Sequence, residues 1–100
     1  MQHYRVRTSI PVEIRASGRV AEGMIRNASD EGMFVETRAI PAEGESISLR
    51  LEAQGEDPIE LSGLVWWTTE DPTYRHRERG FGLRLLEADE RYARLLAGLC

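Results

Sequence analysis

Apolar and polar residues alternate with a period of two along most of this chain, from Thr8 to Leu86. That spacing puts apolar side chains on one face of a pleated strand and polar ones on the other, as in a sheet with one buried face. Ile10, Val12, Ile14 and Ala16 share a face, opposite Ser9, Glu13 and Arg15. Ser17-Gly18 reads as a hairpin turn, and a second strand runs from Arg19 to Arg26. Asn27 to Gly32 is a polar turn segment, and Met33 to Thr37 a short third strand. A connector, Ile40 to Glu45, leads to Ser46 to Ala53, where Ile47, Leu49 and Leu51 alternate with Ser48, Arg50 and Glu52. After a turn over 54–58, Ile59 to Thr68 is the longest strand. Thr69 to Arg79 is a charged loop, and Phe81 to Leu86 the sixth strand.

The period then changes. Asp89 can cap a helix, and Tyr92, Leu95, Leu96 and Leu99 follow at i, i+3, i+4 and i+7, an apolar helical stripe. Six strands on short turns, closed by one helix, predict an all-β fold: a six-stranded antiparallel β-barrel with a C-terminal α-helix on the barrel or plugging one end. One hundred residues make one such domain, with no internal repeat or linker. It divides into an N-terminal segment over 1–7, a barrel over 8–86 and a helix over 89–99.

Composition excludes several functions. No run of about twenty apolar residues could cross a membrane as a helix. The opening residues, Met1 to Arg5, lack the apolar core of a signal peptide, so a cytoplasmic location is expected. A net charge of −4 argues against general DNA or RNA binding. All 13 basic residues are arginine; biased codon usage accounts for that, although arginine also suits planar recognition of phosphates and base edges. The only cysteine is Cys100 and the only histidines are His3 and His76, so no nucleophile or metal motif forms and no enzyme is expected. Gly80-Phe81-Gly82 is too short for a phosphate loop and reads as a strand with close backbone packing or a kink.

Two segments carry more information. Tyr4-Arg5-Val6-Arg7 precedes the first strand, and Asn27-Ala28-Ser29-Asp30-Glu31-Gly32 joins the second to the third. Paired arginines suit an anionic ligand bearing guanine, because a guanidinium can stack on a base, bond its O6/N7 edge or bond a phosphate. Asn27 and Ser29 offer short polar groups, and Gly32 permits a left-handed turn or close ligand approach. The same residues also fit an Asx turn that only closes a hairpin. Adjacent Trp66 and Trp67 should point to opposite faces, one filling the barrel and the other at the surface or under the helix, where it could stack on a base. Arg84 is out of phase with Leu83 and Leu85 and should face outward. The loop from Tyr74 to Arg79 is locally basic, either a partner contact or a solvated charge run.

The order of these pieces resembles the PilZ domain family over nearly the whole chain. Asn27-x-Ser29-x-x-Gly32 matches the family's [D/N]xSxxG, and Met33-Phe34-Val35 resembles the strand that follows it. Gly63 to Trp67 and Gly80 to Leu85 are similar to its last two strands. The family's arginine motif, RxxxR, is incomplete. With Arg5 as its second arginine the first falls at Met1, and with Arg7 as the second it falls at His3. The resemblance implies a barrel of the split-barrel type that binds cyclic di-GMP, with no cofactor. Arg5 and Arg7 would clamp its phosphates and guanines, and Asn27, Ser29 and Gly32 would form the opposing turn. Ordering of the arginine segment would then switch a protein partner in motility, exopolysaccharide or pilus regulation. The incomplete motif leaves an alternative: a degenerate adaptor that binds a protein without the nucleotide.

Overall fold

The computed structural model describes residues 5–53, 55–73 and 78–99. Six strands and a helix follow in order: β1 Val6–Ala16, β2 Arg19–Ala28, β3 Gly32–Glu36, β4 Ser46–Leu51, β5 Ile59–Thr68, β6 Gly80–Ala88 and α1 Glu90–Leu99. All neighbours are antiparallel, in the closed order β1-β2-β3-β6-β5-β4, with β4 returning to β1. Closure leaves no unpaired sheet edge. The expected barrel and helix are therefore present.

Alternation decides what is inside. Val12, Ile14, Ile47, Leu49, Leu51 and Leu61 are all at most 5% exposed. The first hairpin turns on Ser17 and Gly18, at φ 51° and 74°. Two consecutive positive φ values match the right-handed twist of the flanking strands. Asp89 caps the helix, its Oδ1 accepting the Arg91 amide at 2.9 Å. The Arg91 guanidinium beside Asp89 holds that carboxyl below its ordinary range. Tyr92 enters the core cluster, and Leu95 and Leu96 pack partly buried against it.

Several boundaries differ from the sequence reading. β1 begins at Val6, so Arg7 stands on a strand and not in a segment ahead of the barrel. β2 runs on through Asn27 and Ala28, and β3 starts at Gly32. Turn residues by composition are thus strand residues by pairing. β6 reaches Ala88, while β4 stops at Leu51.

Three irregularities in register matter most. Ile25 and Asn27 of β2 face Val35 and Phe34 of β3, leaving Arg26 as an extra residue. Val65 and Trp67 of β5 face Leu83 and Gly82 of β6, leaving Trp66 as another. A third slip, between Ser62 and Gly63, leaves Leu86 extra on β6. A bulge interrupts alternation and re-aims side chains. Arg26 and Asn27 consequently both lie outside, between inward Ile25 and Ala28. Trp66 and Trp67 both lie outside, between buried Val65 and Thr68. Neither tryptophan fills the barrel, because the bulge overrides the opposite-face rule.

Candidate functional site

The site lies on the outer face of β1, β2, β3, β6 and β5. One register row crosses all five strands: Arg7 opposes Asn27, Asn27 opposes Phe34, Phe34 opposes Gly82, and Gly82 opposes Trp67. Trp67 lies over Gly82, where a Cβ would collide with the indole. It stacks on Phe34 at 5.5 Å between centroids and 20° between planes. Gly-x-Gly at 80–82 therefore serves packing, as its shortness suggested. Trp67 covers Phe34, which is only 4% exposed although it stands outside the core cluster.

The hairpin between β2 and β3 adjoins this row. The Ser29 amide donates to the Gly32 carbonyl at 2.8 Å. Ser29 Oγ accepts the amides of Glu31 and Gly32 at 3.2 and 3.3 Å and reaches the Gly32 carbonyl at 3.3 Å. Ser29 is 4% exposed. Its hydroxyl shapes the loop, as in the hairpin-closing reading. Gly32 has ordinary negative φ; it must be glycine because a Cβ would collide with the Leu83 carbonyl of β6. Close approach of a neighbouring strand, not a left-handed turn, explains it.

One contact was missed in the sequence. The Tyr92 hydroxyl of α1 donates to the Ser29 carbonyl at 2.8 Å, a buried bond across 63 residues. Burial pushes the Tyr92 pKa far up, Asp30 adds to the shift and Arg5 opposes it, so the phenol stays a donor at any physiological pH. Tyr92 falls on the apolar stripe of α1, and nothing in its spacing reveals the partner. The only hint is that tyrosine, not leucine, occupies a core-facing helix position.

Arg5 meets the turn segment directly: its Nη1 donates to Asn27 Oδ1 at 2.7 Å. Arg7 goes elsewhere. It lines a groove of about 850 Å³ with Ser9, Arg26, Asn27, Phe34 and Glu78. Arg26 in that groove is already engaged, by Glu36 at 2.6 Å and Ser9 at 2.9 Å. Arg5 lines a second groove, of about 370 Å³, with Ser29, Gly32, both tryptophans, Arg84 and Glu31. The Arg5–Asn27 bond and the Phe34–Trp67 stack bridge the two. The five residues singled out thus gather on one face, but Arg5 and Arg7 serve different grooves.

Arg84 is exposed, as its phase predicted. Its guanidinium carbon lies 4.9 Å from the centroid of Trp66, a cation–π distance. Among the described residues, no group of three His, Cys, Asp or Glu side chains could hold a metal, and no helix is long and apolar enough to cross a membrane. Met1, His3, His76 and Cys100, and most of the basic loop from Tyr74, lie outside the described residues.

A family model described as the PilZ domain matches residues 1–100. Among solved structures, the Bacillus subtilis inhibitor of motility, MotI/DgrA, superposes with a TM-score of 0.72 at 22% identity. That match covers all of this chain and 48% of the other, so the chain spans about half that protein's length. The PilZ domain of CeSA from a cellulose-synthesizing bacterium superposes with a TM-score of 0.66 at 19% identity, over 96% of this chain and 97% of that one. None of the curated proteins matches the chain.

Proposed function

The chain belongs to the PilZ domain family, and from that premise we propose that it is a cyclic di-GMP receptor and not an enzyme. The bond from Arg5 to Asn27 carries the reading, because it joins the two motif segments on one face of the barrel. A dianionic nucleotide has two guanine faces and two phosphodiester charges to satisfy. Arg5 and Arg7 provide fixed positive charge at two adjoining grooves, and Asn27 stands at their boundary. Ser29 and Gly32 act through the backbone they shape. The outer-face tryptophans add apolar surface on which a base can stack.

In this reading the nucleotide draws Arg5 off Asn27 and orders the arginine segment that carries Arg5 and Arg7 against itself. The surface so ordered is read by a protein partner in motility, exopolysaccharide or pilus regulation; one similar solved structure is that of an inhibitor of motility. Binding that orders a segment converts ligand affinity into a changed surface.

Isothermal titration with cyclic di-GMP tests the receptor. Saturable binding is expected. Arg5→Ala should weaken it by about ten- to a hundredfold, the worth of one charge-assisted contact. Ser29→Ala should weaken it less. Absence of heat at high-micromolar ligand would reject the receptor and favour an adaptor that binds a protein alone.

A further inference from the structure

The groove containing Ser29 and Gly32 holds one motif arginine, Arg5, since Arg7 lines the neighbouring groove. Its other cation comes from a strand outside both motifs. Arg84 is the register partner of Gly32 across the β3–β6 ladder and lines the same groove as Arg5. We propose that Arg84 contacts the nucleotide directly and supplies, beside Arg5, the positive charge that the incomplete arginine motif lacks. The proposal deepens the receptor reading and rests on it.

Three observations carry the assignment. The first is position: pairing with Gly32 fixes Arg84 beside the β2–β3 turn whatever its own side chain does. The second is charge. Glu31, an acidic residue, also lines the groove, and Arg5 and Arg84 are its two cationic lining residues, so Arg84 raises the positive charge available to a dianion beyond what Arg5 alone supplies. The third is the Trp66 bulge. It holds an indole 55% exposed at the rim, with the Arg84 guanidinium over the ring. An arginine resting on an aromatic ring has already given up much of its rotamer freedom. Its N–H donors remain for a phosphate or for guanine O6 and N7.

The test is titration of cyclic di-GMP into the wild type, Arg84→Ala, Arg84→Gln and Arg84→Lys, with Arg19→Ala on the first hairpin as a control. Arg84→Ala and Arg84→Gln are expected to weaken binding about ten- to a hundredfold and to flatten its dependence on salt. Arg84→Lys should regain part of the loss, because it restores the charge but not the planar fork. Arg19→Ala should match the wild type. Thermal melting should be unchanged in all four variants, since Arg84 is exposed. If the wild type binds and Arg84→Ala and Arg84→Gln bind as Arg19→Ala does, the role of Arg84 is overturned while the receptor reading stands. If the wild type does not bind, the receptor reading falls and takes this role with it.

Discussion

Replacing Tyr92 with phenylalanine is the most informative single change for the barrel itself. The ring stays, so the apolar surface buried by α1 is nearly constant. What disappears is the 2.8 Å bond to the Ser29 carbonyl. Tyr92 and Ser29 are each 4% exposed, so the carbonyl would lose its donor where water has little access. An unsatisfied buried acceptor costs about 1–3 kcal/mol. For a domain of this size, that lowers the melting temperature by about 4 °C per kcal/mol, or about 4–12 °C in all. Tyr92→Ala adds a cavity and should cost about 3–5 kcal/mol, a large share of the 5–15 kcal/mol typical of small domains. Urea unfolding of the three proteins gives these differences directly. Amide exchange should also quicken at Glu31 and Gly32, whose N–H groups rest on Ser29 Oγ. Nucleotide binding should weaken in parallel, because a loosened turn must be ordered by the ligand. If Tyr92→Phe lies within about 0.5 kcal/mol of the wild type, the range of an ordinary surface change, the buried clamp between α1 and the turn is refuted.

Two further outcomes follow from the packing and the cap. Gly82→Ala should push Trp67 off Phe34 and cost about 1–3 kcal/mol; near-ultraviolet circular dichroism would register the lost stack, and an unchanged spectrum would contradict the role given to Gly82. Asp89 has a folded pKa below its ordinary 3.8, so its charge stabilises the fold above about pH 3.8 and that contribution fades as pH falls through the lowered value. The melting difference between wild type and Asp89→Asn, which keeps a capping side chain, should therefore be constant near neutrality and shrink below pH 3.8.

The legible parts of the site share one property: each rests on local chemistry. Asn27, Ser29 and Gly32 could be picked out because short polar residues and glycine at fixed spacing shape a turn. Arg5 could be picked out because a guanidinium suits phosphate and guanine wherever it stands. Ser29 spends its hydroxyl on its own loop, as the hairpin-closing reading has it. Gly32 is glycine for a different reason from either one offered by its spacing: it admits β6. That reason involves a partner, the Leu83 carbonyl, that spacing along the chain does not identify.

Period-two alternation from Thr8 to Leu86, followed by a 3.6-residue stripe, determined the barrel and its closing helix. That signal survives because each strand must bury one face, whichever strand lies beside it. Pairing across strands decided the rest. The bulges at Arg26 and Trp66 arise from register against β3 and β6, and they turn Asn27 and both tryptophans to one outer face against the local rule. The division of Arg5 and Arg7 between two grooves follows from where β1 begins to pair with β2. Only the folded ladder sets Arg84 against Gly32, and only helix docking brings the Tyr92 hydroxyl to Ser29. Those contacts join residues 52 and 63 positions apart, a separation over which a chain's own periodicity carries no information.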